Sequence, residues 1–444
     1  MNFAQSYIEK YQKIIDEVDL IRINGKVTDV IGLVIVSIGP NVAIGEICRV
    51  VDRSGREVCK CEVVAFKDGK VLSIALGEVE HISPSCNICA TGKSLMIGVG
   101  NALLGRVIDG FGVPIDNKGD IKYEAYRHVF REPPNPLERQ RITQPLQTGV
   151  RSIDGLLTVG KGQRVGIFAG SGVGKSVMLG MIARNTNANV SVIVLVGERG
   201  REVREFIEKD LGVEGLKRSV VIVATSDKPA LMRIKAAFIG TTIAEYFRDL
   251  GLDVVLMMDS VTRFALAQRE IGLTIGEPPT TKGFTPSVFA ILPKLLERAG
   301  TSIVGTITGF YSVLVDGDDM TEPIADAVRS ILDGHFVLSR KLANKAQFPA
   351  IDPLQSVSRV MPDIVGKDHR LRAMEFKEIL QTYYEAEDLI NIGAYVKGSN
   401  PSIDHALSKI SALRNYLKQD MYEQTTYKES VNKLNSIIEK PLMA

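Results

Sequence analysis

The spacing of apolar residues changes character three times along this chain. Residues 3 to 18 repeat at helical spacing, with Phe3, Tyr7, Tyr11, Ile14, Ile15 and Val18 on one face and Glu9, Lys10, Lys13 and Glu17 elsewhere. That predicts an amphipathic helix over 1–18, whose apolar strip either packs on the next domain or docks a partner helix. From Asp19 to about residue 92 the pattern becomes short strands such as "GEICRVVD" and "REVCKCEVVAFKDGKVLSIAL", punctuated by Asn24-Gly25, Ser54-Gly55 and Asp68-Gly69. A small β-barrel over 19–92 is expected. A glycine- and proline-rich connector follows, "GNALLGRVIDGFGVPID" and "REPPNPLERQRI". From Gly149 strands and helices alternate. Runs such as "RVGIFA", "VSVIVLVGE", "SVVIVATS" and "DVVLMMDS" are almost continuously apolar, as strands of a mainly parallel sheet covered on both faces must be. The expected fold is therefore α/β, with an N-terminal barrel, a central domain over 93–362 and a helical domain over 363–444.

Composition narrows the class. A chain of 444 residues, 45% hydrophobic and 24% charged, has room for two to four domains with large cores. The 54 basic and 52 acidic residues leave a net charge of +2, which gives no reason to expect nucleic acid or a membrane surface as partner. No apolar run is long enough to span a bilayer, and the charged N-terminus lacks the apolar core of a signal peptide, so a cytoplasmic protein is expected. The barrel does not read as an oligonucleotide binder, because Phe66 is its only aromatic residue. All five cysteines lie before residue 90. "CKC" and "CNIC" together offer four thiols for zinc, but C-x-C within an apolar strand is not a zinc knuckle, and small residues of a strand face are the better reading.

The chemistry begins at "AGSGVGKS", Ala169 to Ser176, between an apolar strand and a helix. Glycines there let successive backbone N–H groups face a phosphate without a Cβ in the way. Gly170, Gly172 and Gly174 supply that freedom, Ser171, Val173 and Val177 complete the nucleotide-binding stretch, Lys175 reaches the β- and γ-phosphates, and Ser176 offers a hydroxyl to Mg2+. Ala169 stands where the strict pattern has glycine. Asp259, closing the strand "DVVLMMD", is placed to hold the hydration shell of Mg2+, or to cap the helix that follows, or both. Glu198, in "LVGERGREV" just past another strand end, is placed to orient and deprotonate the attacking water; the alternative is a surface pair with Arg199 or Arg201.

Together with these motifs, "DSVTRFALAQREIGLTIGEPPTTKGFTPSVF", "DGDDMTEPIADAVRSILDGHFVLSRKLA" and "FPAIDPLQSVSRVMP" resemble the rotary ATPase superfamily over nearly the whole chain. Among its members the combination looks most like the flagellum-specific export ATPases. The resemblance implies a RecA-like P-loop domain that hydrolyses Mg-ATP, with Lys175 and Ser176 on phosphates and Mg2+, Glu198 as catalytic glutamate and Asp259 as Mg2+ carboxylate. It makes Arg359 of "SVSRVMP" an arginine finger for the neighbouring subunit's γ-phosphate, and Phe348, where the family often has tyrosine, the ring against which adenine packs. It further implies a homohexamer crowned by the barrels, and C-terminal helices facing a central stalk protein. An export regulator would bind the N-terminal helix, and export-gate membrane proteins, export substrates and chaperones would be further partners. The place of work would be the cytoplasmic side of the inner-membrane export apparatus, with no nucleic acid involved.

Other readings remain. Injectisome ATPases share the architecture but tend to "AAAGGGKS"-like phosphate loops. ATP synthase catalytic subunits carry "GGAGVGKT" and an acidic C-terminal helix-loop-helix, neither of which is present. A nucleic-acid translocase on the same core would need a basic, aromatic barrel face. A non-catalytic ring subunit would be expected to have lost the glutamate that stands here at 198.

Overall fold

The computed structural model describes residues 24–77, 79–315 and 319–438. The helix expected over 1–18 lies outside them. The contacts divide the chain into two compact units, one ending at Leu95 and one beginning at Met96.

The first unit is a closed barrel of six antiparallel strands: Gly25–Ile31, Val34–Ile38, Glu46–Val51, Glu57–Lys67, Lys70–Ala75 and Asn87–Ser94. Closure comes from the first strand pairing with the last, Gly25 opposite Ile88 and Lys26 opposite Asn87. Val27, Ile35, Val50, Val63 and Ile88 fill the interior together with Cys48, Cys61 and Cys86. Cys48 and Cys61 face each other across one strand pair, both fully buried. Cys59 and Cys89 are half-buried and all five thiols are free, so the cysteines sit as small apolar strand residues of the barrel.

The second unit is built on a sheet whose strands run, from one edge to the other, Ile351–Ser358, Gly334–Leu338, Arg164–Ala169, Thr306–Leu314, Asp253–Asp259, Val190–Val196, Ser219–Ala224 and Val107–Asp109. Every pairing along this path is parallel except that of the Ile351–Ser358 edge. The short strand Gly300–Thr301 adds antiparallel to Thr306–Leu314. Val190–Val196 is buried at all seven positions, which is why its sequence shows no alternation. Parallel strands place all their carboxyl ends on one edge of the sheet, and ligand sites of open α/β sheets form there.

Helices Lys367–Asn391, Pro401–Leu417 and Tyr427–Ile438 make up the C-terminal part. Their apolar faces share one core with the sheet: Phe376, Leu380, Leu413, Tyr416 and Leu434 join the cluster that holds Val165, Ile167, Met178 and Phe336.

Candidate active site

The phosphate loop leaves the end of the Arg164–Ala169 strand and enters helix Lys175–Asn185. Gly172 and Gly174 have φ of +78° and +86°, and Gly174 caps the helix. Only glycine takes this conformation without strain, so the turn that aims the helix N-terminus outward is written into the sequence. A Cβ on Gly174 would lie 3.4 Å from the Phe348 ring, so the aromatic residue named from sequence stands directly beside the loop. Ala169, Gly170 and Val173 are buried, Val177 and Lys175 are half-buried, and Ser171, Gly172 and Ser176 are exposed.

Two further strands deliver the carboxylates. Lys175 Nζ lies 2.5 Å from Asp259 Oδ1, and the same oxygen accepts the Ser312 hydroxyl at 2.6 Å. Asp259 is not the cap of the next helix. That role falls to Ser260, whose hydroxyl accepts the Arg263 N–H at 3.3 Å, leaving the aspartate carboxylate to the site. Glu198 follows the Val190–Val196 strand by two residues, and its side chain is nearly buried. Its partner is neither Arg199 nor Arg201, but Arg263, at 3.2 Å. Arg263 also donates to the Gly197 carbonyl. It lies so close over Gly197 that a Cβ there would come within 2.8 Å of the arginine Cδ. Burial, followed by the charge of Asp259, pushes the Glu198 carboxyl up to about 7, against the opposing pull of Lys175 and Arg263.

Arg359 is not part of this group. It sits at the end of the antiparallel edge strand, exposed, and its N–H donates to Asp333 O at 3.1 Å. Asp333 N–H in turn donates to Arg164 O, at the start of the phosphate-loop strand. The strand runs five residues on from Arg164 before reaching Ala169, roughly 17 Å at the usual rise. Arg359 therefore lies at the opposite end of the sheet from its own phosphate loop, farther than an arginine side chain reaches.

Residues 149–358 match the nucleotide-binding domain of the ATP synthase alpha/beta family, and residues 365–436 match the C-terminal domain of the type III secretion ATPase EscN. Curated relatives include the flagellum-specific ATP synthase of Bacillus subtilis, 57% identical over 96% of this chain and 99% of the relative. Another is a type 3 secretion system ATPase of Xanthomonas euvesicatoria, 50% identical over 93% of each. The assembled ATPase EscN of the enteropathogenic E. coli type III secretion system superposes with a TM-score of 0.89 at 46% identity, over 94% of this chain and all of that one. The chain belongs to the family of flagellar and type III secretion ATPases. It is an ATP hydrolase, with the sheet, barrel and C-terminal helices of that family.

Within this export ATPase the motif positions 175, 198 and 259 converge, as just described, whereas Arg263, Ser312 and Gln419 were not legible as site residues. Arg263 lies in the helical run "VTRFALAQREI" and Ser312 in the apolar strand run "SIVGTITGFYSVLV", where neither pattern marks a site residue. Gln419, whose N–H donates to the Phe348 carbonyl at 2.9 Å, lies 71 positions beyond it. A carboxylate beside a lysine, with a serine hydroxyl at the start of the phosphate-loop helix, is an all-oxygen donor set that suits Mg2+ carrying most of its own water.

Proposed function

We propose that this chain is the ATPase of a bacterial flagellar protein-export apparatus and that it works as a homohexameric ring around a central stalk. The 57% identity to a flagellum-specific relative supports the flagellar assignment over the injectisome one. A solved relative is described as assembled, and another as in complex with its central stalk EscO, which supports a ring on a stalk here. The observation that carries the reading is the position of Arg359: exposed at the far end of the sheet, it is out of reach of its own phosphate loop and as an arginine finger would act only on a neighbour.

The chemistry follows from the side chains. Lys175 exchanges Asp259 for the β- and γ-phosphates when nucleotide enters, and the backbone N–H groups of 171–176 take up phosphate oxygens. Phe348 stacks on the base. Ser176 and Asp259 would hold Mg2+, which neutralises phosphate charge. Glu198, once deprotonated, takes a proton from the attacking water. The water oxygen bonds to the γ-phosphorus as the bridging P–O bond to ADP breaks. Arg263 keeps Glu198 aimed, and Arg359 of the adjacent subunit spreads the charge of the departing phosphoryl group.

In this reading residues 19–92 form the crown of the ring, 93–362 the ATPase domain and 363–444 the stalk-facing part. Residues 1–18 receive an export regulator. Substrates and chaperones arrive from the cytoplasm, and the ring docks peripherally on export-gate membrane proteins. Among the described residues no helix is long and apolar enough to cross a membrane. The cellular test is removal of the gene from its own organism. Filaments should disappear and return with the intact gene but not with Lys175→Ala; loss of another secreted protein set with filaments intact would favour the injectisome reading.

A further inference from the structure

The end of helix Pro401–Leu417 runs into a short segment, Lys418 to Glu423, that touches three distant stretches of the second unit. Gln419 lies at its centre with 6% of its surface exposed. Its backbone N–H donates to the Phe348 carbonyl at 2.9 Å. Its Oε1 accepts the Arg151 N–H at 2.8 Å, and its Nε2 donates to the Gly149 carbonyl at 2.8 Å. Arg151 returns the contact, donating from Nε to Tyr416 O at 2.9 Å and pairing with Glu423 and the Lys418 carbonyl through its other nitrogens. Both amide ends of Gln419 are thus used, on neighbouring backbone groups, in a largely buried place. The Phe348 carbonyl precedes Pro349, which has no N–H of its own to offer the next turn of chain.

We propose that Gln419 is a positioning residue for the base half of the nucleotide site: by fixing the C-terminal helices to Gly149–Arg151 and to the Phe348 carbonyl at one point, it lets those helices set where the Phe348 ring stands. The inference rests on the reading of Phe348 as the base-stacking residue. The geometry is specific in one respect. Among the described residues, Lys175, Asp259 and Glu198 make no hydrogen bond or ion pair with 418–423; what Gln419 holds is the Phe348 backbone carbonyl, behind the ring that stands beside Gly174, and the backbone that leads towards the phosphate-loop strand. Loosening it should therefore weaken recognition of the base far more than recognition of the triphosphate.

The test uses full-length protein and two ligands, ATP and inorganic tripolyphosphate, which shares the phosphates but has no base. Gln419→Ala should raise KM for ATP by up to about tenfold, the order of one base–aromatic stacking contact, with a much smaller change in kcat. Its inhibition constant for tripolyphosphate should stay within about twofold of the parent by the same reasoning. Gln419→Glu, which keeps the size and the acceptor for Arg151 but turns the Gly149 side repulsive, should shift KM in the same direction and serves if the alanine variant does not fold. Phe348→Ala should raise KM for ATP by itself, and the Gln419 effect should shrink towards nothing in that background. Equal weakening of ATP and tripolyphosphate, or full additivity with Phe348→Ala, would overturn the positioning role. An unchanged KM in Phe348→Ala would instead remove the base-stacking reading on which the role rests.

Discussion

Glu198 shows how a side chain acquires its chemistry from what surrounds it. Buried beside Asp259 and restrained by Arg263, its carboxyl is pushed up to about 7, well above the usual carboxylate range. A general base works only in its deprotonated form, so kcat/KM for ATP should be level at alkaline pH and fall as pH drops through about 7, reaching about a tenth of the plateau one unit below. Arg263→Gln removes a cation that lowers this pKa, so the falling limb should move to higher pH, while a profile flat from pH 6 to 8 would contradict the assignment. Binding separates the two central residues. Glu198→Gln should abolish turnover yet retain Mg-ATP in calorimetry, whereas Lys175→Ala should lose both, since the proposed site makes the ammonium the phosphate contact. If Glu198→Gln turns over near the parent rate, another group is the base. At this scale the sequence was informative wherever a strand end forces a position: Lys175, Glu198 and Asp259 each follow an apolar run whose end can only open on one edge of the sheet. Arg263 and Ser312 were hidden because nothing in a helix turn or a strand announces which distant carboxylate it faces.

At the scale of elements, the connector between barrel and sheet read as irregular, and its fastening could not be read at all. Arg298, fully buried, holds it: Nη1 donates to the Val129 carbonyl at 2.8 Å, while Nε and Nη2 make a two-pronged pair with Glu245 on helix Ala230–Asp249, each at 2.8 Å. In "LLERAG" this arginine looks like the charged end of a helix. Only the packed structure shows it crossing to a carboxylate 53 residues earlier. A buried pair of this kind contributes little over an apolar substitute, but removing one partner strands the other charge. Arg298→Met should therefore cost about 3–5 kcal/mol in denaturant unfolding, and adding Glu245→Leu should recover a large part of that loss. Two near-neutral single variants would show that the connector is held by something else.

At the scale of the molecule, the order of barrel, parallel sheet and helices was legible from the changing period of apolar residues, because each layer imposes its own. What period alone does not carry is how the helices join the rest. Tyr416 and Leu434 lie in the same core as Ile167, and Arg151 and Gln419 bond across some 270 positions of sequence. Nor does it carry the relation of Arg359 to the phosphate loop, which depends on an edge strand running antiparallel to its neighbour and so ending at the wrong end of the sheet for its own site. The central claim is that this arginine completes the site of another subunit. A trans arginine of this sort is worth roughly a thousandfold or more in rate, so specific activity should rise with protein concentration as rings form. The most direct measurement mixes two inactive full-length variants, Glu198→Gln and Arg359→Ala, under conditions where subunits exchange. Interfaces that pair an intact Glu198 with an intact Arg359 from the next subunit should hydrolyse ATP although neither parent does. Mixed rings, demonstrated by mass, that remain inactive would contradict the account.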